Sequence, residues 1–345
     1  MYTRKNFTLW GILLFSWHHI VWLTLYASTI TVLYEVNHSE WMAIPWLPIS
    51  VIGTAVAFYV GFKNNSAYDR LWEARKIWGS IVNGSRMWGS MVKNYVGNQF
   101  RETDMDEASL YKLRKKMIYR HIAWLYTLRS QLLVPTQWEH LGGSKVMRDF
   151  TQRRQKRFGT GLFHDQITEI ELGKYLEKDE MEEYIEFKNT ATQLLDRQGA
   201  ELSALRKMNL IDDFRHMELQ NIINGFYTDQ GKCERIKNYP LPRQYGSMSF
   251  VFVALFIFLL PFGMIPQFHD LGDHNVWLAI PFTVLVGWVF IVMELIGDYS
   301  ENPFEGLGND IPMLALSRTI EIDLMEMLGE TDLPEKIKPV NDVLM

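Results

Sequence analysis

Cysteine is nearly absent. Cys233 is the only one in 345 residues, so no intrachain disulfide framework holds the fold, and no base that the sequence can identify marks it as a nucleophile. A large net charge is missing as well. The formal charge is −5, which excludes the basic field of a nucleic-acid binder. No glycine-rich phosphate loop occurs. His18 and His19 are adjacent, so on a helix they point about 100° apart and cannot grip one metal from one face. Strand-like alternation, internal repeats and low-complexity stretches are also lacking. These absences lead us to expect no enzymatic activity.

What is present is apolar. The chain is 48% hydrophobic and 14% aromatic, enough to exclude disorder. Its mean hydropathy of −0.10 averages two unlike kinds of sequence. Four stretches lack charged side chains for about the 20 residues a bilayer span needs: Phe7–Tyr34, Trp41–Phe62, Gln244–Phe268 and Asn275–Met293. The first is too long for the core of a signal peptide and no small-residue cleavage site follows it.

Lys and Arg give the orientation. Neither occurs in the short connections 35–45 and 266–275, whereas thirty of the 35 lie between Lys63 and Arg243. By the positive-inside rule both termini and the long middle segment face the cytoplasm, in a cell membrane, with lipid as the surrounding partner. Trp41, Trp46 and Trp277 fall at outer span ends, as an interfacial belt requires. The expected organisation is spans one and two in 1–66, a helical cytoplasmic domain in 67–244, spans three and four in 245–298, and a cytoplasmic C-terminal segment in 299–345. Helical spacing recurs around Leu71–Trp88, Leu113–Leu132 and Leu194–Leu210. The basic run Lys145–Arg157 and the acidic run Glu169–Glu186 read as solvated faces. The fold class is all-α integral membrane.

The second span carries more than hydrophobicity. Gly53, Ala57 and Gly61 repeat every fourth residue and form a stripe of small side chains, the kind that lets membrane helices approach closely. One residue further on each time stand Thr54, Phe58 and Phe62. Packing through the small stripe would turn this second stripe toward a shared axis, spread over roughly 12 Å at 1.5 Å per residue. Rings of phenylalanine there form an apolar constriction. Helix packing inside one subunit would produce the same spacing.

The run from Gly61 to Gly79, GFKNNSAYDRLWEARKIWG, resembles the signature of the bestrophin family in its prokaryotic branch. So do Pro240-Leu241-Pro242, Leu260-Pro261-Phe262-Gly263, Glu301-Asn302-Pro303-Phe304 and Asn309-Asp310-Ile311-Pro312, which follow in order. The resemblance implies a homopentameric channel that passes small ions, chloride and similar anions foremost, through an axial pore. Thr54, Phe58 and Phe62 match the family's neck positions, with Thr54 standing where a bulky apolar residue is usual. Lys63 follows at the neck exit, in place of the commoner Arg, and a second constriction falls near Phe214. Animal bestrophins bind calcium just after the Asn-Pro-Phe motif. Here Glu305-Gly306-Leu307-Gly308-Asn309-Asp310 offers two acids, few for an ion that prefers six to eight oxygens. The expectation is no cofactor, with Asp310 the residue placed to contribute were calcium bound. A cation-conducting channel, a secondary transporter and a membrane-anchored scaffold remain open. A transporter should show matching breaks in its two halves; spans three and four carry Pro261 and Pro281, but the first two spans show no matching breaks.

Overall fold

The computed structural model describes residues 1–37, 40–161 and 172–345. Among these, every regular element is a helix, with two isolated bridges, Tyr2–Val343 and Val340–Val343. The α-helices are α1 (Leu9–Asn37), α2 (Trp46–Tyr95), α3 (Glu107–Leu133), α4 (Lys145–Phe158), α5 (Lys178–Ile185), α6 (Thr190–Lys207), α7 (Asp213–Asn238), α8 (Arg243–His269), α9 (Ala279–Asp298) and α10 (Met313–Leu328). They form two compact units, one of residues 4–70 and 240–301, the other of residues 1–3, 71–239 and 302–345. The unit boundaries thus lie at 70/71, 239/240 and 301/302, and the first three residues go with the second unit, an assignment composition does not reveal.

The first unit holds α1, the first half of α2, α8 and α9. Among the described residues four helical stretches are long and apolar enough to cross a membrane, one through each of these helices, and a helix satisfies its backbone groups within the segment, as lipid requires. Its core gathers Leu23, Ile49, Val56, Val60, Val253, Phe256, Ile257, Leu260 and Ile291. The outward faces stay apolar, with Leu9, Trp10, Trp17, Leu25 and Val36 of α1 exposed. Pro261 and Pro266 lie inside α8 without ending it. Pro266 has no N–H for the Phe262 carbonyl four residues back, and that carbonyl accepts the Ile44 N–H instead, at 3.0 Å. Pro281 stands in the first turn of α9, where an N–H has no helical partner to lose. These spans are therefore continuous helices, and their prolines make no break of the transporter kind.

The second unit is built around α3. Asp106 caps it by accepting the Ser109 N–H, and from Met117 to Leu133 nearly every residue is buried. Such all-round burial marks a helix enclosed by others. The second half of α2 with α6, α7 and α10 supplies the enclosing faces, and Trp78, Trp88, Trp124 and Phe226 are the large side chains of this core. The three stretches of helical spacing in this region are the second half of α2, α3 and α6. The basic run is α4, capped by Ser144 and stopped by Gly159 at φ 61°. The part of the acidic run from 169 to 171 lies outside the described residues.

Candidate functional site

Within the first unit, helix α2 keeps one face open. Val56, Val60 and Lys63 turn inward, while Val51, Thr54, Phe58, Gly61, Phe62 and Asn65 are exposed. The spacing of the exposed set keeps to one helical face. Phe58 and Phe62 are 67% and 66% exposed, large values for aromatic rings on a helix whose other side is fully packed. Thr54 shares this face. Its hydroxyl donates to the Ser50 carbonyl, 2.9 Å away, so its one proton is spent on the helix itself and the side chain offers only acceptor lone pairs and a methyl group.

The small stripe divides. Gly53 is buried against Phe256 of α8, and a Cβ there would lie 2.6 Å from the ring. Gly53 therefore serves packing inside the unit. Gly61 has open space around it and belongs to the exposed face with Phe58 and Phe62. Ala57, half-buried, sits between the two.

Lys63 is a correction. The sequence reading puts its charge at the neck exit, just after the Thr54/Phe58/Phe62 line. The side chain instead turns inward, 1% exposed, and pairs with Glu294 of α9. Ser249 of α8 donates to the second oxygen of the same carboxylate, and Asn64 Nδ2 donates to the Met293 carbonyl at 3.0 Å. Gly297 makes room, since a Cβ there would lie 2.2 Å from Asn64 Oδ1. The reason is angular: Lys63 stands seven and three residues after Val56 and Val60, so helical spacing puts it on their buried face. A charge buried in such a place must be paired. The sequence signal that points to this pairing is Glu294 itself, an acid at the end of an apolar span.

Phe214 occupies the first turn of α7 and is 80% exposed. Met217, Asn221, Asn224, Gly225 and Thr228 continue its open face along the helix. Arg215, its neighbour, turns aside to stack 4.9 Å from the Phe100 ring centroid. Cys233 is fully buried on α7, and burial pushes its thiol up, away from the reactive thiolate.

The loop after Asn302-Pro303-Phe304 is buried in the second unit. Gly306, at φ 80°, packs so closely that a Cβ would lie 2.8 Å from the Gly161 Cα. Asp310 Oδ2 accepts the N–H groups of Glu305 and Leu307 at 3.0 and 2.9 Å. The Glu305 carboxylate takes both the backbone N–H and Nδ1 of His140. Lys237 Nζ donates to Glu139 Oε1 at 2.5 Å, and the Phe304 carbonyl lies 3.5 Å from it. Burial acts against both charges of this pair, raising Glu139 and lowering Lys237, while each partner pulls the other back toward ionisation. Burial likewise pushes Asp310 up to about 7. These oxygens do not fit a calcium ion, because N–H and ammonium donors already hold them. Among the described residues no group of three or more His, Cys, Asp and Glu side chains is arranged around a metal.

Comparison with known proteins agrees with this architecture. The chain is 27% identical over 341 residues to the voltage-dependent anion channel-forming protein YneE of Salmonella typhi, covering 96% of this chain and 95% of that one. It is 25% identical over 292 residues to the voltage-dependent anion channel-forming protein mll4386 of Mesorhizobium japonicum, covering 85% and 77%. The crystal structure of a bacterial bestrophin homologue from Klebsiella pneumoniae superposes with a TM-score of 0.73 at 20% identity, over 91% of this chain and 98% of that one. The bacterial and fungal bestrophin family matches residues 5–326. That match spans both units and all four apolar helices, and the chain belongs to this family.

Proposed function

We propose that the protein is an anion channel formed by several copies of this chain around a central axis, with α2 of each copy lining the pore. The observation that carries this reading is the open face of α2: Thr54, Phe58 and Phe62, exposed on a helix able to span a membrane. Exposed aromatic rings at membrane depth either meet lipid or meet copies of themselves. Cyclic closure turns one such face per chain into stacked rings, and an apolar ring of this kind gates by dewetting. The family's homopentamer is the assembly we adopt, with both termini and the second unit on the cytoplasmic side. Phe214, exposed at the start of α7, supplies the second constriction.

Selectivity for anions is supported by the relatives' names and by the electropositive edges of the phenylalanine rings, which favour anions modestly. Lys63 lends no support, because Glu294 neutralises it. Purified protein in a planar bilayer under a potassium chloride gradient tests the proposal. A reversal potential near the chloride value is expected. One near the potassium value keeps the pore and overturns the anion assignment, and silence from folded, inserted protein leaves a membrane-anchored scaffold as the better reading.

A further inference from the structure

The loop that follows Asn302-Pro303-Phe304 lies among buried acids, and a lysine stands with them. Glu139, Glu305 and Asp310 are each 3% exposed or less. Carboxylates buried so deeply need a cation close by, or they destabilise the fold. Lys237 Nζ supplies one, on the Glu139 carboxylate at 2.5 Å and 3.5 Å from the Phe304 carbonyl. It also feels the charges of Glu305 and Asp310. Its ligands are thus a carboxylate oxygen and a backbone carbonyl oxygen, the donor types a hard divalent cation takes. Two further features favour a cation at this point. Lys237 lies in the last turn of α7, where the helix dipole stabilises positive charge. Glu139 is itself held in place by the Thr136 N–H at 2.9 Å, so the oxygen facing Lys237 is pre-positioned.

We propose that Lys237 is a tethered cation that orders the 302–310 loop in place of a metal ion, so that this chain folds and holds that loop without calcium. His140 adds hydrogen bonds to Glu305 through its backbone N–H and Nδ1. A covalently attached lysine is always present, so the loop has no on and off states set by free calcium. Removing the side chain opens a pocket lined by oxygens and leaves Glu139 with no counter-charge.

The test uses the intact chain in detergent, with thermal unfolding followed by tryptophan fluorescence in chelator, in millimolar calcium chloride and in methylammonium chloride. The wild-type midpoint should be the same in all three. Lys237→Ala should unfold about 5–15 °C lower in chelator and recover part of that loss in calcium or methylammonium. Adding Glu139→Gln to Lys237→Ala should abolish the recovery. If Lys237→Ala does not fold in chelator, purification with and without calcium is the same comparison, folded protein with calcium alone being the expected result. A wild-type midpoint raised by calcium overturns the proposal. So does a Lys237→Ala protein as stable as wild type, or one whose loss no cation restores.

Discussion

Lys63 and Glu294 are 231 positions apart and form a buried pair in the first unit. Ser249 donates to the remaining carboxylate oxygen, so the acid is held from two sides. Breaking such a pair by removing one charge costs about 3–5 kcal/mol, whereas replacing both by apolar side chains is often close to neutral. Glu294→Gln should therefore lower the thermal midpoint of the purified protein substantially, and Lys63→Met with Glu294→Leu should recover most of it. His121 gives a second residue-scale prediction. Fully buried on α3, it sits 4.5 Å from the Phe226 ring centroid with Nε2 2.9 Å from Ser85 Oγ, and burial lowers its pKa from 6.5 to about 3. Between those values the unfolded chain binds a proton that the native state refuses, so stability is complete above about pH 6.5 and falls as pH drops toward 3. Each unit of that shift is worth about 1.4 kcal/mol. His121→Gln should flatten the decline in denaturation midpoint over this window, and an unchanged slope would show that other groups set it.

At the scale of elements, the helical spans were legible because desolvation leaves its mark on composition: a water-exposed stretch of chain rarely goes without charge for the width of a bilayer. The faces of those helices were legible only in part. The period of the exposed line Thr54, Phe58, Phe62 is fixed by helix geometry, yet the small stripe beside it serves two purposes that spacing cannot separate. Gly53 meets Phe256 and Gly61 meets nothing, a difference that depends on where α8 lies. Two substitutions of the same size should thus behave differently. Gly53→Ala drives a methyl group into an aromatic ring in a packed core and should destabilise by about 1–3 kcal/mol, read as a lower unfolding midpoint. Gly61→Ala should leave that midpoint unchanged or raise it slightly, since alanine favours the helix by up to about 1 kcal/mol, and its effect should appear in subunit assembly or current. The Ile44–Phe262 bond is of the same kind: Pro266 announces a free carbonyl in the sequence, but which N–H fills it depends on the loop that tertiary packing brings there.

For the whole molecule, what stayed hidden in the sequence is what joins distant segments. The first three residues pair with the last few, Thr3 N–H donating to the Asp342 carbonyl at 2.9 Å, and no local pattern encodes a contact across nearly the full chain. The proposed assembly rests instead on one helix, where a stripe in the sequence is an exposed face in the chain. If copies close that face around an axis, the purified protein should show one discrete oligomer by mass, with five copies expected from the family. Phe58→Ala and Phe62→Ala then separate the pore from a scaffold or a lipid-facing surface. The two rings are about two-thirds exposed in the single chain, so truncating them removes little of its packing, and thermal stability and expression should hardly change. In a pore each substitution acts in every copy at once and takes out a complete ring of the apolar barrier. Wetting that barrier should raise current at fixed protein density, and losing the ring edges should draw the reversal potential away from the chloride value. A scaffold or a lipid-facing surface would lose the same aromatic ring from each copy with no change in ion flux, so equal currents from wild type and both variants would place the conduction path elsewhere.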